Sequence, residues 1–391
     1  MDSPSTILDH CNAEPPSWRA AGLCYHSLKF FNRRQFGGDV WKVSVDAGCT
    51  CPNRDGSIST SGCVFCDPES FSPSRRGGIQ SITGQIDQGI RHLMLRRHAE
   101  RFLAYFQPAS NTYGSIERLR AAYLEAISHP QIVGLAIGTR PDCVGEDVLD
   151  LLAEIAEKTW LVVEFGLQTV HNRTLDWLHR GHHVDAFFDA CQRTRRRNLN
   201  VGVHVILGLP GESRDDMLTT ARTLAKLDLH SVKPHNLYVV RNTALADEVA
   251  AGRVRLAELS EYVGYLVDFL EELPERFVIE RLCGDAPREY FLGPAWCLDK
   301  AAVRAVVEAE FRRRGSVQGA RLGAREIGRL GDRETRRLAG RPLAVFLNYG
   351  FHFTSRIAGS ERHFLEGSLP SVPSTTNRHR PTVSDESDTV A

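Results

Sequence analysis

Short apolar runs recur along the chain, and each is followed by a stretch in which apolar residues return every three or four positions. Trp41-Lys-Val-Ser-Val45 alternates. Phe102-Leu-Ala-Tyr-Phe-Gln107, Ile132-Val-Gly-Leu-Ala-Ile-Gly138, Trp160-Leu-Val-Val-Glu-Phe165 and Val201-Gly-Val-His-Val-Ile-Leu207 are nearly continuous, and residues 231–240 form another candidate strand. Runs of this kind belong to strands buried on both faces, as in parallel sheets. Helical periodicity fills the gaps at about 81–98, with Ile82, Ile86, Ile90, Leu93 and Leu95 on one stripe, and at about 115–127, 145–158, 173–178, 184–197, 214–227 and 256–270.

Six strand–helix repeats predict an α/β fold, a partial TIM-like (β/α)6 barrel rather than a closed eight-stranded one. In such a barrel successive strand-to-helix loops converge, so ligands collect at the C-terminal ends of the strands. The polar motifs of this chain lie at those ends. On this reading residues 1–24 are a loosely held arm, residues 25–275 the barrel and residues 276–320 a following region. Residues 321–391 are a poorly ordered extension. Within them 323–341 is basic and patchily helical, 343–353 is apolar, and 368–391 is Ser/Thr/Pro-rich and predicts a disordered tail. Residues 25–38 read as a short helix stopped by glycines, and residues 67–78 as a loop.

Composition narrows the classes. The 391 residues carry 48 basic and 48 acidic side chains, which gives no global electrostatic case for nucleic acid or an anionic membrane. The densest basic cluster, Arg193-Thr-Arg-Arg-Arg197, closes a helix and reads as a solvated helix end. Ten cysteines without a secretory leader point to a reducing, cytoplasmic setting. No apolar run approaches the ~18 residues of a membrane span, so no membrane partner is expected. Cys11, Cys24, Cys143, Cys191, Cys283 and Cys297 are scattered and read as ordinary thiols.

Cys51, Cys63 and Cys66 are different. Cys63-Val-Phe-Cys66 puts two thiols on one tight turn, and Cys51 reaches them across a polar, glycine-punctuated loop. Structural zinc sites use four closed ligands, as do ordinary electron-transfer iron–sulfur clusters. A cubane held by only three thiolates would leave one iron without a protein ligand, while a Cys-x2-Cys with one extra cysteine, taken alone, is more often a zinc knuckle. A zinc-stabilised nucleic-acid or protein binding module is the alternative. Cys49, two residues before Cys51, is a conceivable fourth ligand.

Asp46-Ala-Gly-Cys-Thr-Cys51-Pro-Asn-Arg-Asp-Gly followed by Gly62-Cys63-Val-Phe-Cys66 resembles the cluster loop of the YhcC/YtqA-type radical S-adenosylmethionine (SAM) proteins, relatives of the catalytic subunit of Elongator. The resemblance runs from about Tyr25 to about Gln318; Cys49 stands where that family usually has an aromatic residue. It implies a [4Fe-4S] cluster on Cys51, Cys63 and Cys66 with SAM on the open iron. A 5′-deoxyadenosyl radical would then act on a substrate that the family does not define, a tRNA base being one candidate. It implies an electron donor such as a flavodoxin or ferredoxin. It also implies that the 25–38 helix packs beside the cluster loop and that residues 276–320 form a cap.

The strand ends supply the remaining candidates. Phe65 would shield the cluster or approach adenine. The resemblance gives Gln107, Asn111 and Thr112 as contacts to the methionyl amine, without the usual glycine-rich segment. Arg140 and Asp142 project over the barrel mouth or form a structural ion pair. Glu164 and Gln168 suit ribose hydroxyls or the amino-acid end of SAM, the alternative being a buried pair that satisfies loop backbone. Arg180, in Arg180-Gly-His182, matches a family element and suits the SAM carboxylate. Gly208 allows close backbone approach to adenine, and Ile206 offers apolar contact. Lys233 and His235, where the family shows Lys and His, fall on the substrate side; His235 also reads as a core histidine.

Overall fold

The computed structural model describes residues 17–72, 78, 80–97 and 99–322. Seven strands pair parallel in their order along the chain: β1 (Val40–Val45), β2 (Arg101–Phe106), β3 (Ile132–Thr139), β4 (Trp160–Gln168), β5 (Asn200–Leu207), β6 (Ser231–Asn236) and β8 (Val278–Ile279). Two short strands, β7 (Val239–Val240) and β9 (Phe291–Gly293), pair antiparallel beside them. The helices are α1 (Leu28–Phe36), α2 (Ile82–Arg97), α3 (Ile116–Ser128), α4 (Glu146–Ala156), α5 (Asn172–Trp177), α6 (Val184–Arg196), α7 (Arg214–Leu224), α8 (Ala244–Ala250), α9 (Leu259–Glu271) and α10 (Lys300–Arg314). A sequentially ordered parallel sheet with β1 and β8 at its edges is a partial TIM-like barrel.

The two faces of the strands have opposite characters, and the two-residue period of a strand explains why. One row, with Val43, Phe102, Phe106, Ile137, Phe165, Val203 and Val232, is buried against the helices in the main core. Each such side chain contributes roughly 1.5–3 kcal/mol through burial. The alternate row faces inward. There Tyr105, Ala136 and Val162 form a small apolar cluster, and around it stand Lys42, Glu164, His204 and Lys233, linked to one another. Lumen space comes from glycine. A Cβ on Gly202 would lie 2.8 Å from Ser231 Oγ and 3.1 Å from Glu164 Cγ.

All six expected repeats are present, with four differences of detail. The 231–240 segment is two strands, because after Asn236 the chain leaves the sheet and Val239–Val240 pairs with Phe291–Gly293 instead. A seventh strand, only two residues long and thus without a legible period, comes from the segment assigned to the cap and pairs with β6. The arm is held from residue 17: Trp18 is 5% exposed and donates Nε1–H to the Glu275 carbonyl.

The fourth difference concerns α1, which does not pack beside the cysteine loop. Phe31 and Phe36 lie 5.9 and 5.6 Å from the Trp160 ring, and Phe31 lies 4.7 Å from His230. Trp160 begins β4 and His230 precedes β6, so α1 closes the N-terminal end of the barrel, opposite the cysteines. Its two aromatic rings find apolar partners there that the polar cysteine loop does not offer. The Arg193–Arg197 cluster is a helix end held by exposed ion pairs to Asp189, Asp228, Glu146 and Asp150. The extension beyond residue 322, including its expected disordered tail, lies outside the described residues.

Candidate active site

The cysteine loop is fixed at both ends. Where β1 ends, Gln85 accepts from the Asp46 N–H at 2.8 Å and donates to the Asp46 carbonyl at 2.9 Å. Within the loop the Cys51 carbonyl accepts from the amides of Arg54 and Asp55, and the Cys66 N–H closes the Cys-x2-Cys turn onto the Cys63 carbonyl at 3.0 Å. Gly62 has φ 76°. Val64 pins the loop to the barrel, donating to Leu178 and accepting from Leu245 at 3.1 and 2.9 Å.

Cys51, Cys63 and Cys66 form one electrostatic unit. Burial pushes the Cys66 thiol up to about 12, and negative charge on Cys63 and Cys51 adds to that, opposed by Arg54 and Arg180. Cys63 Sγ receives Arg180 Nη1 at 3.2 Å and Asn53 Nδ2 at 3.4 Å. Two donors are thus aimed at this one sulfur. Cys49 does not join the group. It is buried in the main core, near enough to Tyr123 that burial first, and Cys49 second, push that phenol up. The loop therefore presents three thiols.

Beside Cys66 opens a cavity of about 190 Å³. Phe65, Gln107, Arg140, Glu164, Gln168, Arg180, Ile206 and His235 line it, bringing together most of the residues singled out from the sequence. Among the other lining residues are Tyr105, Gly166, His204, Tyr238 and Arg281. Several lining side chains bear buried polar atoms with no protein partner: Gln107 Oε1, Arg140 Nη1, Arg180 Nε and His235 Nε2. Each such atom costs about 1–3 kcal/mol unless something satisfies it. Their concentration around one cavity fits a polar ligand with both donors and acceptors, as SAM is.

Arg180 joins thiols and cavity. Its Nη2 donates to the Gly166 carbonyl at 2.6 Å, while Nη1 reaches Cys63. Gly166 makes room, since a Cβ there would lie 3.2 Å from Arg180 Nη2. Arg140 is gripped bidentately by Asp142 at 2.9 and 2.7 Å, so the structural-pair reading of those two is realised while Arg140 still faces the cavity.

Other expected contacts lie elsewhere. Asn111 Nδ2 donates to the Phe106 and Gly138 carbonyls, and Thr112 Oγ1 donates to the Cys143 carbonyl. These bonds tie the β2 and β3 ends together, and neither residue lines the cavity. Gly208, at φ 82°, turns the chain out of β5, with its N–H on Met217 Sδ at 3.3 Å; it too is off the cavity wall, whereas Ile206 is on it. Lys233 does not line the cavity itself but sits behind two residues that do. Its Nζ is 2.9 Å from Tyr105 Oη and 3.2 Å from Glu164 Oε2.

Lys233 belongs to a network that sequence reading missed. Glu164 is held by Lys42 at 2.6 Å, by His204 Nε2 at 2.7 Å and by Lys233. Glu280 takes Lys42 at 2.6 Å and Ser231 Oγ at 2.7 Å. Burial drives the Lys233 ammonium down to about 7 against the pull of Glu164. Burial opposes ionisation of Glu164 as well, but the Lys233 and Lys42 charges outweigh it and hold the carboxyl well below its usual range. The available signal was the polar residue recurring at inward positions of otherwise apolar strands.

The Radical SAM superfamily model matches residues 51–224, and the Radical_SAM C-terminal domain matches residues 229–313. YtqA of Bacillus subtilis is 36% identical over 296 residues, covering 75% of this chain and 92% of that protein. The chain belongs to the radical SAM superfamily. YhcC of Escherichia coli K12 is 35% identical over 291 residues, 74% of this chain and 93% of its own. A tRNA uridine(34) acetyltransferase of Methanocaldococcus jannaschii is 34% identical over 83 residues, 21% of this chain and 15% of that one. In fold, the archaeal Methanocaldococcus infernus Elp3 with an N-terminal deletion superposes with TM-score 0.54 at 19% identity, covering 71% of this chain and 64% of that one.

Radical SAM proteins bind a [4Fe-4S] cluster and SAM. Here Cys51, Cys63 and Cys66 would hold the cluster, and the unsatisfied groups of the cavity would hold SAM. The family matches favour the cluster over the zinc-module alternative. Among the described residues no helix is long and apolar enough to cross a membrane.

Proposed function

We propose that this chain is an enzyme that abstracts a hydrogen atom from a nucleoside of tRNA held in the cavity beside Cys66. When bound, the cluster supplies the electron that splits SAM into methionine and a 5′-deoxyadenosyl radical. The observation that carries the reading is the arrangement of Arg180, which touches Cys63 and lines the cavity with its Nε unsatisfied. One side chain thereby couples the thiols to the place where a ligand's acceptor is missing.

The protein's own part is enclosure and orientation. Arg180 and Gln107 offer a donor and an acceptor for the amino-acid end of SAM, Ile206 and Phe65 offer apolar surface for adenine, and His235 faces the substrate. The tRNA assignment is supported by the partial likeness to a tRNA uridine(34) acetyltransferase. The Arg193–Arg197 cluster is engaged in ion pairs, so the tRNA reading does not rest on it. Reduction would come from a flavodoxin or ferredoxin.

Anaerobic reconstitution with iron and sulfide, followed by dithionite and SAM, tests the reading. A brown protein with four irons that releases 5′-deoxyadenosine, faster when unmodified tRNA transcript is added, is the expected result. A colourless protein retaining one zinc would overturn the enzyme reading. Release of 5′-deoxyadenosine indifferent to tRNA would overturn the substrate assignment, and nucleoside and metabolite profiling of cells with and without the protein would then direct the search.

A further inference from the structure

Three guanidinium groups line the cavity, and two have evident occupations. Arg140 is bound by Asp142, and Arg180 by Cys63 and the Gly166 carbonyl. Arg281, which follows β8 at the barrel mouth, has no carboxylate within 4.0 Å among the described residues. Its recorded polar neighbour is His235, with Nη1 3.4 Å from Nδ1.

That contact fixes the histidine tautomer. A guanidinium only donates, so Nδ1 accepts and carries no proton. Burial, reinforced by the charges of Arg281 and of the neighbouring His204 and Lys233, keeps His235 neutral. A neutral imidazole with a bare Nδ1 bears its hydrogen on Nε2. This Nε2–H is buried and has no acceptor. His204 stacks on the face of the ring at 5.2 Å and 24°, leaving the ring edge unsatisfied.

Backbone brings the pair together. A Cβ on Gly284 would lie 2.9 Å from His235 Nδ1 and 3.1 Å from Arg281 Nη1, so only glycine lets the following segment close over them. A guanidinium with no carboxylate partner among the described residues and a buried donor without an acceptor thus both belong to the cavity wall.

We propose that Arg281 and His235 Nε2–H together seat a phosphate group of the substrate nucleotide. This inference rests on the nucleoside reading of the substrate and adds the group by which it is gripped. Phosphate accepts several charge-assisted hydrogen bonds at once, which matches a guanidinium beside a neutral N–H donor. The carboxylate of SAM is the other anion to enter the cavity, and Arg180, beside Cys63, is placed for it.

Calorimetric titration of the cluster-reconstituted full chain with UMP and with uridine tests the proposal. UMP should bind saturably and uridine roughly 10- to 100-fold more weakly, the span expected for loss of charged hydrogen bonds. Arg281→Gln and His235→Gln should each erase most of that preference, and Arg281→Lys should keep part of it. If Arg281→Gln fails to fold, Arg281→Lys and His235→Gln carry the comparison.

Equal binding of UMP and uridine to the unaltered chain overturns the proposal. So does a loss of SAM binding in Arg281→Gln with UMP affinity intact. Absence of UMP preference in protein that releases 5′-deoxyadenosine with tRNA defeats this inference alone. UMP preference in protein that never cleaves SAM defeats the reading of the reaction and leaves the phosphate seat standing.

Discussion

Arg180 Nη1 lies 3.2 Å from Cys63 Sγ, and the same guanidinium donates to the Gly166 carbonyl at 2.6 Å. The first bond stabilises negative sulfur and the second fixes the side chain's direction. Arg180→Lys keeps a charge but cannot make both bonds. It should still assemble a cluster, with SAM cleavage reduced about 10- to 100-fold, the value of one or two charge-assisted bonds. Iron content and 5′-deoxyadenosine release, measured on the same sample, separate assembly from turnover. Wild-type turnover in Arg180→Lys would remove Arg180 from the site.

Cys49 and Cys66 should behave oppositely. Cys49→Ala leaves the three ligands in place, so iron and sulfide content should equal that of the unaltered chain. Cys66→Ala should lose the cluster. An iron deficit in Cys49→Ala comparable with that of Cys66→Ala would contradict the burial of Cys49 in the helix-facing core.

Glu164 neutralises two buried ammonium groups, Lys42 and Lys233. Glu164→Gln removes the charge and keeps the shape, leaving cations in low dielectric. The loss should be about 3–5 kcal/mol, read from urea denaturation. The double variant Glu164→Gln/Lys42→Met should recover part of it, because one stranded charge is removed. Additive losses would mean that the two residues do not share a network.

Acid sensitivity should trace partly to His230 at the base of the barrel. Burial brings its pKa down to about 4, with Glu280 opposing and His26 and Lys42 adding to the shift. The folded value is depressed below an unfolded value near 6.5. As pH falls from 6.5 towards 4 the unfolded chain takes up a proton that the folded chain refuses, so stability is lost with acid. Between pH 7 and pH 5 this amounts to roughly 2 kcal/mol. His230→Phe should flatten that part of the stability profile. An unchanged slope would assign the acid sensitivity to other groups.

The strands and the cysteine turn were legible in the sequence because each is a local signal: β4 is an apolar run, and the Cys66 N–H closes Cys63-Val-Phe-Cys66 onto the Cys63 carbonyl. The lumen was harder to read. Lys42 looks like the solvent-facing residue of an alternating strand, yet it is buried, because the inner face of a barrel is enclosed by its own neighbouring strands. Glu280 adjoins a two-residue strand that has no readable period, and its partner Lys42 is 238 residues away. Asn111 and Thr112 carry suitable chemistry at a strand end, but backbone carbonyls of adjoining loops claim those side chains first. Position along a strand was readable, and competition for hydrogen bonds was not.

The aromatic floor made by Phe31, Phe36, Trp160 and His230 packs across the end of the barrel away from the cysteine loop. The cavity opens at the opposite end, where the strands finish and the cysteine loop also stands. On the proposed reaction, a bulky substrate seated there would stand between the cofactor and bulk water.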